Sequence, residues 1–97
     1  MLTIFWTEEA LENLEDILSY LHDHWTQREV NHFTNLLFER IELIALNPYL
    51  FPKSSDFGNL RKSVLTPQTS IIYWLKPLHQ PVELHILSLL DNRKKGQ

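Results

Sequence analysis

Glu83 and His85 are the pair best suited to moving protons in this chain, two residues apart in the run Val82 to Leu90. If that run is a strand, the spacing puts both side chains on one sheet face, within reach of each other and of a cross-strand neighbour. A carboxylate beside an imidazole is the minimum set for general acid-base cleavage of RNA. One group takes the 2′-hydroxyl proton and another protonates the leaving oxygen. The plainer reading is a solvated ion pair on a half-exposed strand, which alternates in the same way.

Cations supply the second ingredient. Arg61 and Lys62 precede an apolar stretch, and Arg93, Lys94 and Lys95 follow the last one. Arginine offers phosphate a bidentate fork and lysine a mobile point charge, so these residues can form a cationic rim. They equally suit a charged sheet edge that resists aggregation, followed by a frayed tail. Only one of Arg61 and Lys62 points to a given face. Tyr73 and Trp74 lie on opposite faces of their strand, one in the core and the other free to stack on a base or a partner side chain. His22 and His24, about 200° apart around a helix axis, do not converge on a metal. His32 and His79 form no ligand spacing with them. With glycine only at 58 and 96, no phosphate loop or dinucleotide fingerprint is present. No cofactor is expected.

Charge is divided along the chain. Residues 1–52 hold nine acids against Arg28 and Arg40 and carry −7, whereas the remainder carries +4, within a net −3. Such a division suggests that one end meets a polyanion or an acidic peptide while the other is solvated. Ninety-seven residues suffice for one core, so 1–97 reads as a single domain. The absence of cysteine excludes a disulfide framework and a thiol nucleophile. The opening MLTIFWTEEA has no positive n-region, and the longest charge-free apolar stretch is a strand's length. A cytoplasmic location with no membrane contact is the expectation.

The elements that must position these residues are legible from periodicity. Leu2 to Trp6 reads as a strand ending at Thr7, a helix cap, with Glu8 and Glu9 at the positive end of the helix dipole. Ala10, Leu11, Leu14, Ile17, Leu18, Leu21 and Trp25 recur every three or four residues as one apolar stripe. Thr26 and Glu29 form a capping-box pattern that starts a second helix. It runs through Val30, Phe33, Leu37, Ile41 and Ile44, widened by Leu36, Phe38 and Leu43, to Asn47-Pro48. The near absence of a connection predicts an antiparallel helix hairpin. Residues 48–59 read as a loop pinned by Tyr49, Leu50, Phe51 and Phe57. Leu60 to Leu65, Thr69 to Lys76 and Val82 to Leu90 follow as an antiparallel meander. The fold class is therefore α+β: an N-terminal strand, a helix hairpin and a three-stranded meander, with the helices on one sheet face.

This layout, with Trp6 to Ala10, Asn47-Pro48, Leu60 to Val64, Ile71 to Tyr73 and Asp91 to Arg93, resembles the RelE/ParE superfamily of toxins from type II toxin-antitoxin systems. The resemblance implies a bacterial growth inhibitor, of the kind also called a plasmid stabilisation protein, blocked by a cognate antitoxin in a hetero-oligomer or alongside a homodimer. Two activities occur there. RelE-like members cleave mRNA on the ribosome, which would give Arg61, Glu83, His85 and Arg93 catalytic roles. ParE-like members act on DNA gyrase without that set, which would make Arg61, Lys62, Tyr73, Arg93 and Lys94 a binding surface. Ser63 and Ser70 stand where the nucleases tend to carry cations, and Asp91 where histidine or glycine is frequent. These departures favour the ParE-like reading. An inactive antitoxin-binding module is the third. Ile72, Trp74, Leu87 and Leu89 are candidates for whichever sheet face the antitoxin covers, by strand addition or as a helix in a groove.

Overall fold

A computed structural model describes residues 1–54 and 58–92 of the chain. The order is β1 (Thr3–Trp6), α1 (Glu8–His24), α2 (Gln27–Leu46), β2 (Arg61–Thr66), β3 (Thr69–Lys76) and β4 (Glu83–Asp91). The four strands form one sheet in the order β1-β4-β3-β2. β2, β3 and β4 are antiparallel neighbours, and β1 returns to pair with β4 in parallel. A parallel partner needs a long crossover, and the helix hairpin together with the meander supplies it. The α+β architecture expected from the sequence is the one observed.

Local chemistry starts both helices. Thr7 is extended at φ −73° and ψ 160°, and its hydroxyl accepts from the Ala10 amide at 3.1 Å. The same hydroxyl donates to the Leu87 carbonyl at 2.7 Å, so one side chain caps α1 and ties it to β4. Thr7→Ala is expected to cost about 1 to 2 kcal/mol in denaturant unfolding, and Thr7→Ser to recover most of it. At α2 the Thr26 amide donates to Glu29 Oε2 at 3.1 Å, and the Thr26 hydroxyl meets the same carboxylate. That hydroxyl bond holds the Glu29 carboxyl below its usual range.

The core lies between the hairpin and one sheet face. Val30, Phe33, Leu37, Ile41 and Ile44 are buried along α2, as the period requires, and Ala45 joins them. Across from them sit Leu65, Ile71, Tyr73, Leu75, Leu84, Ile86 and Leu89. The apolar stripes are narrower than their sequences suggest. Leu11, Trp25, Phe38 and Leu43 are exposed, because a helix lying on a sheet buries one flank and its outer residues pass beyond the contact. Tyr49 and Leu50 are exposed as well, leaving Phe51 as the loop residue packed on the core. Phe57 lies outside the described residues.

Two bulges set which side chains face which way. In β4 the pairing shifts between Tyr73↔Ile86 and Ile72↔Ser88, so Leu87 is an extra residue. Core residues are therefore even-numbered before it, at Leu84 and Ile86, and odd-numbered after it, at Leu89. Leu89, a candidate for an uncovered face, is thus a core residue. A second shift between Val64 and Thr66 leaves Leu65 unpaired at the end of β2.

Candidate functional site

The sheet face turned away from the helices brings Glu83 and His85 together. His85 Nε2 lies 2.9 Å from Glu83 Oε1, so the strand spacing has placed carboxylate and imidazole in contact. When Nε2 carries the proton it donates to Glu83, and Nδ1 is left as an acceptor. The imidazole is held between rings from both neighbouring strands. Phe5 of β1 stacks on it at 5.0 Å and 15°, and Trp74 of β3 tilts over it at 5.8 Å and 50°. The register explains this, since Phe5 and Trp74 are the Cα partners of His85 on either side. Phe5 and Val64 are exposed, Lys62 and Trp74 half-buried, and Ile72 buried. The pair has the components for proton transfer, on an aromatic platform that suits a planar or apolar partner group.

The other expected site residues are placed differently. Tyr73, expected on the contact surface, is fully buried on the helix side, and its hydroxyl donates to the Pro48 carbonyl at 3.2 Å. Burial pushes the phenol up to about 12, with Arg61's charge acting against the rise. Trp74 is the outward ring of the two. Arg61 shares the helix-side register with Tyr73. Its Nη1 donates to the Phe51 carbonyl at 2.6 Å and its guanidinium lies 5.1 Å from the Tyr49 ring centre, so part of its donor set holds the loop. Lys62 faces the opposite side, opposite Ile72. Arg93, Lys94 and Lys95 lie outside the described residues.

Ser63 and Ser70 are both completely buried. Ser63 pairs with Ile71 on the helix side and accepts from Arg40 Nη1 at 2.8 Å. Ser70 is bridged to Asn92, whose Nδ2 lies 3.0 Å from the serine oxygen. Neither position presents a group that could grip a phosphate. Arg40 was not foreseen as important. It reaches around the β2 edge, donating also to the Val64 carbonyl at 2.9 Å, with its guanidinium 5.3 Å from the Phe51 ring centre. Its only sequence signal is being one of two cations in an acidic half.

A groove of about 820 Å³ opens between α1, the start of α2 and the β2–β3 turn. Ile17, Tyr20, Leu21, Trp25, Phe33 and Leu89 supply its apolar lining, and Asp16 and Asp91 its acids. Exposed Trp25 thus has a place the helix period did not reveal. His24 stacks on Tyr20 at 4.2 Å and bonds its carbonyl. Among the described residues no group of three histidine, cysteine or acidic side chains is arranged to hold a metal ion. Nor, among them, is any helix long and apolar enough to cross a membrane.

Comparison with known proteins agrees with this architecture. A structure described as the chromosomal ParDE TA system from P. aeruginosa superposes with a TM-score of 0.76 at 16% identity, covering 94% of this chain and 96% of the other. A copper-bound mutant toxin from Helicobacter pylori gives 0.67 at 17% identity, covering 98% and 99%. At such identities the likeness is one of fold. Among curated proteins none matches the sequence. The family described as ParE toxin of type II toxin-antitoxin system, parDE, matches residues 4–73, from β1 through Tyr73. The chain therefore belongs to the ParE toxin family of type II toxin-antitoxin systems.

Proposed function

We propose that the chain is a cytoplasmic bacterial toxin that inhibits growth by binding DNA gyrase, and that a cognate antitoxin neutralises it. The observation that carries the choice of target is the burial of Ser63 and Ser70, each bonded within the fold. A ribonuclease of this architecture must grip a phosphate and stabilise developing charge beside its proton-transfer pair. Those two positions offer no cation. A net charge of −3 is also ill-suited to docking on ribosomal RNA, where affinity comes from released counterions. The act left to the open face, with Phe5, Trp74, Val64 and Lys62, is binding.

Purified protein added to gyrase and supercoiled DNA is expected to accumulate cleaved-DNA complexes. The Glu83→Gln variant, which keeps the side chain's shape and removes its charge, is expected to do so within about twofold of the parent, since the mechanism uses no proton transfer. Unchanged DNA at saturating protein would overturn the gyrase assignment. The Glu83–His85 contact favours one alternative, ribosome-dependent mRNA cleavage. Toeprints at the ribosomal A site that vanish in Glu83→Gln and in His85→Ala would establish it in place of the first reading. Antitoxin binding is supported by the uncovered sheet face and the apolar groove, and co-purification with the product of the adjacent gene tests it directly.

A further inference from the structure

A second, smaller cleft lies at the end of the sheet opposite the groove. Its volume is about 220 Å³, and Lys53, Asn59, Arg61 and His79 line it with Tyr49, Leu75 and Leu78. Three of these side chains are cationic or can become so, and none of its described lining is acidic. Leu75 belongs to the core, so the cleft has an apolar wall beneath a polar set of donors.

Three distant segments are locked together to make it. Lys53 bridges Arg61 across an isolated antiparallel pairing, supported by Ser54 N to Leu60 O at 2.7 Å and Lys62 N to Pro52 O at 3.3 Å. The Tyr49 hydroxyl donates to the Leu78 carbonyl at 3.0 Å, which fixes the β3–β4 turn against the loop after α2. Next to His79, Gln80 takes the left-handed conformation at φ +52°, which a non-glycine residue holds only where its surroundings impose it. Arg61 stacks on Tyr49 and donates from Nη1 to Phe51, so its fork is fixed in orientation while donors remain for a ligand.

We infer that this cleft is a carboxylate-binding site that takes a glutamate or aspartate side chain from an acidic segment of a protein partner. The volume is below the roughly 300 to 1,000 Å³ of small-molecule sites, and it suits one side chain of a larger partner. The apolar wall of Tyr49, Leu75 and Leu78 receives the methylenes of such a side chain, and Lys53, Arg61, Asn59 and His79 meet its oxygens. Phosphate shares the anionic chemistry. A nucleic-acid partner, however, demands a track of cations, and this acidic chain offers three around one small cleft. The inference rests on the toxin-antitoxin reading only for the partner's identity, the antitoxin being the acidic segment in question.

The test is an amide-resolved NMR titration of the full chain at low salt with three probes: an acetylated, amidated Glu-Leu-Glu-Glu peptide, inorganic phosphate and a decathymidine strand. Saturable shifts confined to Lys53, Asn59, Arg61 and His79, strongest with the peptide, are expected. In the Lys53→Glu/His79→Glu double variant peptide affinity should fall about tenfold or more. The exposed Lys53→Gln/His79→Gln pair checks that folding is intact and should show an intermediate loss. Tighter binding of the DNA strand or of phosphate, shifts that never saturate, or affinity unmoved by charge reversal would each overturn the inference. Growth on induction is scored in parallel. A harmless parent chain removes the toxin reading, while the titration still decides the cleft.

Discussion

Tyr73→Ala is expected to remove about 3 to 5 kcal/mol of stability, enough to leave much of a small domain unfolded near physiological temperature. The ring is wholly inside, in one cluster with Ile71, Leu75, Leu84 and Ile86, so its removal leaves a cavity in the core. Tyr73→Phe separates the ring from the hydroxyl and should cost about 1 kcal/mol, leaving the Pro48 carbonyl without its donor. The two variants also differ from the parent in alkali. In the fold the phenol is pushed up to about 12, whereas in the unfolded chain it ionises near 10. Its raised value contributes stability that is complete below pH 10 and is lost as pH rises toward 12, because only the unfolded chain releases the proton there. Urea unfolding followed across that window should show the parent losing about 2 kcal/mol more than Tyr73→Phe. Parallel curves would mean that Tyr73 is not sealed from water.

The second large effect is expected at Arg40. Arg40→Ala should destabilise by about 2 to 4 kcal/mol, since it strips a charged donor from buried Ser63, frees the Val64 carbonyl and removes the contact over Phe51. Arg40→Lys is expected to recover only part, because its ammonium has donors for the two oxygens that Nη1 serves but no flat guanidinium to lie over Phe51. Coupling to Ser63→Ala in a double-mutant cycle should approach about 1 kcal/mol or more, as both report one hydrogen bond. A second readout is association. With Arg40 gone the outer edge of β2 presents an unpaired carbonyl beside exposed Val64, so the variant should sediment as larger species at concentrations where the parent does not. Additive energies and unchanged sedimentation would show that the arginine is incidental to the edge.

Periodicity alone was a good guide where one element packs on one surface. Val30, Phe33, Leu37, Ile41 and Ile44 are buried in the order their spacing requires, and both threonine caps sit where their helices begin. The Glu83–His85 contact was legible for the same reason, because a period of two holds along the first half of β4. It ceased to hold at Leu87, where the bulge reverses the parity and turns Leu89 inward. Nothing in the strand's own composition announces that change, which depends on pairing with β3. Side-chain commitments across long separations were equally hidden. Tyr73 is fixed by a carbonyl 25 residues away, Arg61 by one 10 residues away and Arg40 by a serine 23 residues away. Alternation shows that Tyr73 and Trp74 oppose each other, and only the third dimension shows which is inside. The carboxylate cleft is not legible in the sequence because its walls come from three separate stretches, 49–53, 59–61 and 75–79.

The bulge at Leu87 also bears on how such a protein can diversify. Before it, Glu83 and His85 alternate with Leu84 and Ile86, so outward and inward letters are interleaved on a single strand. Because the inward letters alone seat the helices, the outward ones are released from folding and can drift with whatever surface they meet. A lineage can therefore exchange one binding partner for another by rewriting the alternate, outward residues of β4 before the bulge, with its core inherited unchanged.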